Sequence, residues 1–479
     1  MRVLLVQPNQ ERTRGFQRMA CLEPLGLETI AGGLSPQHDV LLVDLRVEPN
    51  RLAATLTAFR PAVVGISANF TTDTYQALAV AKAVRELAPE TYVVVGGNHA
   101  SLRPIDFHHA AVDAVVLGEG EVTARELAGC LAVGGDPSQV SGLALNRPGG
   151  QSFTRERPLV ENLDALPLPQ RSLSQGHRRL YHLVLTRPLA LVETIRGCPY
   201  RCRFCAVWRF HRGGVRRKSA HRVVEELTQV EEPNVLFTDD NFLSDIPRSR
   251  EIARLIRERG IRKRYQIQAR SDAIARHPEV IAEWRDVGLG TVFIGFEKPV
   301  QAELEAVNKR NTVENNEKAL AVLRRQGIEP TASFIVDPDY GQAEFAALRA
   351  YVGRLRLQWP TFTVLTPLPG TTLFECMKER LTTSSYELFD LLHAVVPTRL
   401  PLPEFYRDLA ALWRSAYPPW RQRLARVFFA LRDLLSGDAT YGGWRDALAE
   451  IGCLTNAAAY QEGAAGCTRR GHAGHLDRR

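Results

Sequence analysis

The sequence predicts an α/β protein made of an N-terminal doubly wound parallel sheet, a second series of six strand–helix units and a helical C-terminal segment. Three observations predict it. Five Val-rich apolar runs recur at regular intervals through the first third of the chain. A second strand–helix rhythm starts at residue 189, and from about Tyr386 that rhythm stops. A length of 479 residues fits about three folded units at ~150 residues each.

In the first unit the apolar runs lie at 3–6, 40–43, 63–67, 92–95 and 114–117, each bounded by Pro, Gly, Asp or Asn, as strands buried on both faces should be. Helix-compatible stretches separate them. The clearest is 74–87, where Ala77, Leu78, Ala81, Val84 and Leu87 recur at three- and four-residue spacing. Strands alternating with helices predict a parallel sheet, and ligands of such sheets lie beyond the carboxyl ends of the strands. At those ends stand Gly65-Ile66-Ser67-Ala68-Asn69, Gly96-Gly97-Asn98-His99 and Gly118-Glu119-Gly120-Glu121. Taken singly, each is an ordinary tight turn. Three small-residue loops on one edge read as a ligand site, because glycine lets the backbone approach a large ligand and helix starts favour anionic groups.

Residues 136–188, with scattered Gly, Pro, Ser and Arg and Leu166-Pro167-Leu168-Pro169 in their middle, read as a linker rather than a core. The apolar run 189–195 reads as a strand. It leads directly into Arg196-Gly197-Cys198-Pro199-Tyr200-Arg201-Cys202-Arg203-Phe204-Cys205, a Cys-x3-Cys-x2-Cys spacing. Further strands are expected at 234–238, 265–269, 291–295, 331–336 and 362–365, with helices such as 221–230 and 248–259 between them. Beyond residue 386 the segments 388–395, 402–414 and 420–435 read as helices, and residues 456–479 as a disordered tail. In the last helix Leu424, Val427, Phe428, Leu431 and Leu435 form an apolar stripe beside Arg421, Arg423, Arg426 and Arg432. Such a stripe either packs on the preceding unit or rests on an anionic membrane.

Composition narrows the class. Apolar residues make up 45% and charged residues 24%, the proportions of a globular chain. No apolar run approaches the ~18 residues that span a bilayer, and the start, Met1-Arg2-Val3-Leu4-Leu5-Val6-Gln7-Pro8-Asn9, lacks the features of a secretory signal. A cytoplasmic chain is expected. The net charge of +8, concentrated in Arg clusters at 209–217, 414–432 and the tail, serves surface solvation or an acidic partner. Three of the eight cysteines fall within residues 198–205 and the rest are scattered, which points to a metal site in a reducing compartment rather than a disulfide framework.

A cubane iron–sulfur cluster takes thiolates on four irons, so three close cysteines leave one iron open to bind substrate. Structural zinc needs a closed set of four, which His211 would have to complete. The cysteine spacing after a strand resembles the signature of the radical S-adenosylmethionine (SAM) superfamily. Pro24-Leu25-Gly26-Leu27, Gly96-Gly97-Asn98-His99-Ala100 and Leu117-Gly118-Glu119-Gly120-Glu121 resemble the cobalamin-binding domain that precedes many of these enzymes, over residues 1–135. The resemblance implies a partial (β/α)6 barrel over 189–385 and a helical segment over 386–455.

Further expectations follow from that resemblance. Cys198, Cys202 and Cys205 would hold a 4Fe-4S cluster whose open iron chelates SAM, and one-electron reduction would then give a 5′-deoxyadenosyl radical. Phe204 would lie near the adenine, Asp239 and Asp240 near the SAM amino group, Arg270 near its carboxylate, and Glu297 near ribose or the amino group. These residue types suit the ligand, since an ammonium needs acceptors and a carboxylate a guanidinium fork. Cobalamin would lie against Ser67, Asn69, Gly96, Gly97, His99, Gly118, Glu119, Gly120 and Glu121. The wider cobalamin-domain motif Asp-x-His-x-x-Gly is missing, which implies a corrin without a protein imidazole beneath cobalt, His99 lining the site instead.

Cobalamin beside such a cluster implies radical methylation of an unactivated carbon, fed by a reductase, flavodoxin or ferredoxin. Leu391-Leu392-His393-Ala394-Val395-Val396-Pro397-Thr398 and Leu400-Pro401-Leu402-Pro403-Glu404-Phe405-Tyr406 are similar to the hopanoid C-3 methylases, implying a pentacyclic triterpenoid lipid as substrate and peripheral contact with the inner membrane face. Two alternatives stand beside it: a cyclase of the anaerobic magnesium-protoporphyrin monomethyl ester type, and a non-catalytic iron–sulfur and cobalamin sensor. A nucleic-acid substrate is not expected, because RNA methylthiolating enzymes carry a further cysteine triad and only Cys21 and Cys130 precede this one.

Overall fold

The computed structural model describes residues 1–10, 19–35, 37–436 and 443–460. Two sheets follow each other along the chain. The first has strands β1 (Arg2–Gln7), β2 (Asp39–Asp44), β3 (Val63–Ser67), β4 (Tyr92–Gly96), β5 (Ala114–Val116), β6 (Leu143–Arg147) and β7 (Gly150–Phe153), ordered β2-β1-β3-β4-β5-β6-β7. The first five are parallel, and β6 and β7 add an antiparallel edge.

Strand alternation splits the apolar residues between two cores. Leu4 and Val6 of β1 face one core with Val64, Ile66, Val93 and Val95. Val3 and Leu5 face the other. Helices α1 (Leu25–Leu34) and α3 (Gly120–Ala132) cover the second face through Leu27, Ala31, Leu34, Leu127 and Ala128. Helix α2 (Thr74–Leu87) covers the first through Ala77, Val80, Ala81 and Val84.

The second sheet runs in chain order and is parallel throughout: β8 (Leu189–Val192), β9 (Asn234–Phe237), β10 (Arg264–Gln268), β11 (Leu289–Glu297), β12 (Thr331–Val336) and β13 (Trp359–Val364). Ser219 caps α4 (Ala220–Gln229) and Asp245 caps α5 (Ile246–Glu258), each side chain accepting an orphan N–H of the first turn. Phe237, Phe242, Tyr265 and Trp284 pack edge and face in the barrel core. Helix α6 (Leu402–Ala416) buries Phe405, Leu409, Leu412 and Trp413 in that same core, with Trp413 edge-on to Phe362.

Three expectations need correction. The linker reading of 136–188 fails at its start, because β6 and β7 lie there and Leu143, Ala144 and Leu145 are buried in the first sheet's cores. Alternation too short to stand out among Gly, Ser and Arg hid this hairpin. Residues 388–395 are not a helix: one 3-10 turn at Tyr386–Leu388 gives way to Leu391 at φ 65°, whose carbonyl accepts from the Val364 N–H on the barrel edge. The backbone is satisfied by β13 instead of by itself. Residues 457–460 form a short helical turn with Tyr460 buried, so the tail is ordered at its start; the remainder, 461–479 with Cys467, lies outside the described residues.

The later part of 136–188 joins the two units. A 3-10 helix, Arg171–Leu180, lies between them and carries two buried arginines. Arg171 reaches Glu23 at 2.6 Å, Glu226 of α4 at 2.8 Å and the Leu191 carbonyl at 2.7 Å. Arg178 pairs with Glu23 and Glu232, and Lys218 completes the set at 2.8 Å from Glu226. Glu28, fully buried beside them, accepts from the Ser174 hydroxyl.

Burial, and then the Glu23 carboxylate, push the Glu28 carboxyl from 4.5 up to about 7, against the pull of Arg171 and Arg178. Between those values the folded chain holds a proton that the unfolded chain has released. This group's contribution to stability therefore falls as pH rises through that window. Thermal unfolding of Glu28→Gln against wild type checks this: the variant should gain relative stability between about pH 5 and about pH 8. An equal offset at both would remove Glu28 from the titrating groups.

Candidate active site

The cysteine loop is the crown of a short hairpin. Ile195–Arg196 pairs antiparallel with Arg216–Arg217, and the intervening residues carry Cys198, Cys202 and Cys205 over the barrel. Gly197 sits at φ 90°, and a Cβ there would stand 2.2 Å from the Gly214 carbonyl, so the hairpin closes only around glycine. The Trp208 indole donates to the Cys202 carbonyl at 3.2 Å and is flanked by Arg201 and Arg209. Further along the chain, the Val307 carbonyl accepts from the Arg203 N–H, and the Leu373 N–H donates to the Arg203 carbonyl. Phe204 stays half-buried between the last two cysteines.

All three thiols are free, and burial raises each above the usual thiol range, Cys205 to about 12. They act on one another electrostatically, Cys198 and Cys202 both raising Cys205. This donor set fits a 4Fe-4S cluster, whose binding would release the thiol protons. Among the described residues no three His, Cys, Asp or Glu side chains converge as the ligands of one metal ion would, whereas cubane thiolates bind separate irons. The Nδ1 of His211 lies 3.0 Å from Arg216, and burial and that guanidinium hold the ring down to about 4.

The acidic and basic residues expected around SAM divide into two groups. Asp239 is spent on structure: its carboxylate accepts from the backbone N–H groups of Thr194 at 2.6 Å and Ile195 at 2.9 Å, and from the Thr194 hydroxyl. Buried, it braces the start of the hairpin instead of reaching a ligand. Arg270 is likewise committed. Its guanidinium donates to Asp272 at 2.9 Å and to the Lys309 and Arg310 carbonyls at 2.9 and 2.8 Å, while stacking 3.5 Å from the Tyr200 ring centroid. It supports the cysteine loop from below; a carboxylate fork is not where the structure puts it.

Asp240 and Glu297 face the cluster loop. Asp240 is the exposed member of its pair and raises the thiols of Cys198 and Cys205 by its charge. Crowding by protein, then the carboxylates of Asp239 and Glu193, push Asp240 itself up to about 7. Glu297 ends β11 at φ 61°, where a bulge breaks the register with β12. Strain of this kind at a strand end is a mark of functional loops. Its carboxylate receives the Lys309 ammonium at 2.6 Å, and the two act oppositely on Cys202. Lys309, a lone lysine in a loop, carried no sequence signal, nor did Trp208.

On the first sheet the strand-end loops form a shallow edge. Asn69 donates to Ser67 at 3.1 Å, and Gly97, φ 128°, lies so close that a Cβ would stand 2.6 Å from the Ala68 carbonyl. Gly96 ends β4, and Gly118 and Gly120 flank the start of α3, with open space beside Gly118. This glycine-lined edge fits the approach of a large flat ligand. His99 is buried with Nδ1 3.2 Å from the Thr71 hydroxyl and Nε2 3.0 Å from Asp106, so both ring nitrogens are engaged. Tyr386 crosses from the C-terminal segment to lie edge-on to His99 at 5.4 Å and stacked on Tyr75 at 6.2 Å. Glu119 and Glu121 depart from the expected placement: both carboxylates turn to Arg196.

The two carboxyl edges oppose each other. Gly370, in the Pro367-Leu368-Pro369-Gly370-Thr371 loop after β13, would place a Cβ 2.7 Å from that of Leu102, beside the strand-end loops of the first sheet. Arg209 of the cluster hairpin donates to the Gly370 carbonyl at 3.2 Å. Cysteine loop, barrel rim and the first sheet's strand-end loops thus meet.

The B12 binding domain family matches residues 15–128 and the radical SAM superfamily residues 192–343. The chain is similar to the hopanoid C-3 methylase of Methylococcus capsulatus, 35% identical over 87% of this chain and 80% of that one. It is 26% identical to the anaerobic magnesium-protoporphyrin IX monomethyl ester cyclase of Rubrivivax gelatinosus, over 83% of this chain and 73% of that one. In fold it resembles the cobalamin-dependent SAM radical enzyme OxsB, solved with aqua-cobalamin and SAM, with a TM-score of 0.70, 16% identity, and 91% and 71% of the two chains covered. The chain belongs to the cobalamin-dependent radical SAM methyltransferases. Its cofactors are accordingly a 4Fe-4S cluster, SAM and cobalamin.

Arg270→Gln should cost about 2 kcal/mol in chemical denaturation, since it leaves the Lys309 and Arg310 carbonyls without their donor and the Asp272 carboxylate with Arg276 as its remaining cation. In the metal-free protein it should also speed alkylation of Cys198, Cys202 and Cys205. Unchanged thiol reactivity would show that Arg270 does not support the loop.

Proposed function

We propose that the protein methylates an unactivated carbon of a lipid, and that the lipid is a hopanoid modified at C-3. The observation that carries this reading is the 35% identity to a hopanoid C-3 methylase, which extends over both α/β units and not the radical domain alone. When bound, the cofactors supply the one-electron cleavage of SAM and the methyl group, chemistry no side chain provides.

In this reading Cys198, Cys202 and Cys205 are the thiolate ligands of the cluster. Trp208, Asp239 and Arg270 hold their loop in place. Asp240 accepts from the amino group of SAM, the Glu297–Lys309 pair lies beside Cys202, and Phe204 flanks the adenine. Ser67, Asn69, Gly96, Gly97, Gly118 and Gly120 would form the bed of the corrin, with both ring nitrogens of His99 engaged by Thr71 and Asp106. Electrons come from a reductase, flavodoxin or ferredoxin.

A lipid substrate calls for access to a membrane surface. Among the described residues no helix is long and apolar enough to cross one. Helix α7 (Pro419–Ser436), however, turns Trp420, Leu424 and Val427 outward at 63, 62 and 58% exposure. Arg423 and Arg426 lie on the same helix, while Arg421 stacks on Trp359 at 4.9 Å and ties the helix to the barrel. An apolar face flanked by cations suits an anionic bilayer. Co-sedimentation with phosphatidylglycerol vesicles, set against phosphatidylcholine vesicles, should fall about tenfold in Trp420→Ser/Leu424→Ser. Equal binding by the variant would separate α7 from the membrane.

The cyclase relative favours a second reading, ring formation on a porphyrin. Products separate the two. Methylation yields one S-adenosylhomocysteine and one 5′-deoxyadenosine per methylated hopanoid, whereas cyclisation need not yield S-adenosylhomocysteine. Loss of a C-3-methylated hopanoid from a deletion strain, restored by wild type and not by Cys202→Ala, is the expected outcome. An unchanged lipid profile would overturn the hopanoid assignment.

A further inference from the structure

Glu119 and Glu121 were expected to line the corrin edge, yet both carboxylates cross to the other unit. Arg196 donates to Glu119 at 2.8 Å and to Glu121 at 2.6 Å, and a third bond runs to Glu193 at 2.8 Å. Arg216 donates to both oxygens of Glu119 at 2.8 Å and to the Val160 carbonyl at 2.8 Å. Arg196 and Arg216 face each other across the base of the cluster hairpin. One carboxylate from the corrin loop therefore grips both strands that carry the three cysteines.

The position in sequence sharpens the point. Arg196 stands two residues before Cys198, and Glu119 lies between Gly118 and Gly120 at the start of α3. Every side chain in the set except Glu193 is about nine-tenths buried. Burial raises the Glu119 carboxyl, but Arg196, the Val160 N–H and Arg216 outweigh it and hold Glu119 below its usual range. Charges buried in this way persist only while paired. The Arg171 and Arg178 cluster already joins the two units through Glu23, Glu28, Glu226 and Glu232.

We infer that Arg196, with Glu119 and Glu121, is a latch that fixes the cysteine loop against the corrin loop and so couples SAM cleavage to methyl loading of cobalamin. The three are positioning residues, acting through the loops they join. Their inference rests on the cofactor class and not on the identity of the lipid.

The test uses Glu121→Gln and Arg196→Lys in the full chain, without lipid. In the metal-free protein, hydrogen exchange at 117–122 and at 196–205 should accelerate together by about fivefold, because one bond set protects both loops. In protein loaded with iron, sulfide and cob(II)alamin and reduced by titanium(III) citrate, iron per chain should stay at the wild-type value. S-adenosylhomocysteine should fall about tenfold relative to 5′-deoxyadenosine, since only the former depends on where the corrin sits. Should Arg196→Lys fail to accumulate, Glu121→Gln alone decides, as it leaves the Glu119 and Glu193 bonds in place. Exchange that rises in one loop only, or a wild-type product ratio in iron-loaded variant, overturns the proposal.

Discussion

The two α/β units are held with the carboxyl ends of their strands facing each other, and the contact between them is made largely of buried charge. Arg171 and Arg178 lie under the seam with Glu23, Glu226 and Glu232, and Arg196 and Arg216 lie at its mouth with Glu119 and Glu121. Desolvating so many ions is costly, and the cost is offset only when geometry is good and each lone pair or proton has a partner. An apolar seam would tolerate sliding; a set of paired charges tolerates very few registers. For a reaction whose parts sit on different domains, that selectivity of register matters more than net stability.

The same constraint explains how the site is built. The barrel places Asp239, Arg270 and Glu297 at successive strand ends, the face where parallel barrels carry their chemistry. Two of these three side chains support the cysteine hairpin. Asp239 ties its first residues to β9, and Arg270 carries Tyr200 and the carbonyls of Lys309 and Arg310. Asp240 and the Glu297–Lys309 pair act electrostatically on the thiols, as does the Arg270 guanidinium itself. The cysteine loop thus has support on several sides, which is the preorganisation that a metal cluster needs.

Much of this was legible in the sequence because the physics was local. Val-rich runs of four or five residues bounded by Pro, Gly, Asp or Asn predict strands, and all five in the first unit occur, the edge strand β2 with Leu41 exposed. The six strands expected in the second unit occur as well. The cysteine spacing needs no fold to be read. What escaped depends on partners distant in sequence. The hairpin at β6 and β7 is weak in composition and is ordered by β5. Glu119 and Glu121 look like ligand residues until Arg196, 77 and 75 residues away, claims them. Arg270 has the right chemistry for a carboxylate, but two backbone carbonyls nearly forty residues on reach it first.

The central claim is that this seam holds cluster and corrin in one fixed apposition. Pulsed dipolar electron paramagnetic resonance between cob(II)alamin and the reduced cluster in the wild-type protein tests it most directly. The account predicts one narrow distance distribution that keeps its centre when S-adenosylhomocysteine, which the reduced cluster does not cleave, is added. A broad or two-peaked distribution would contradict it, because the two units would then be sliding past each other.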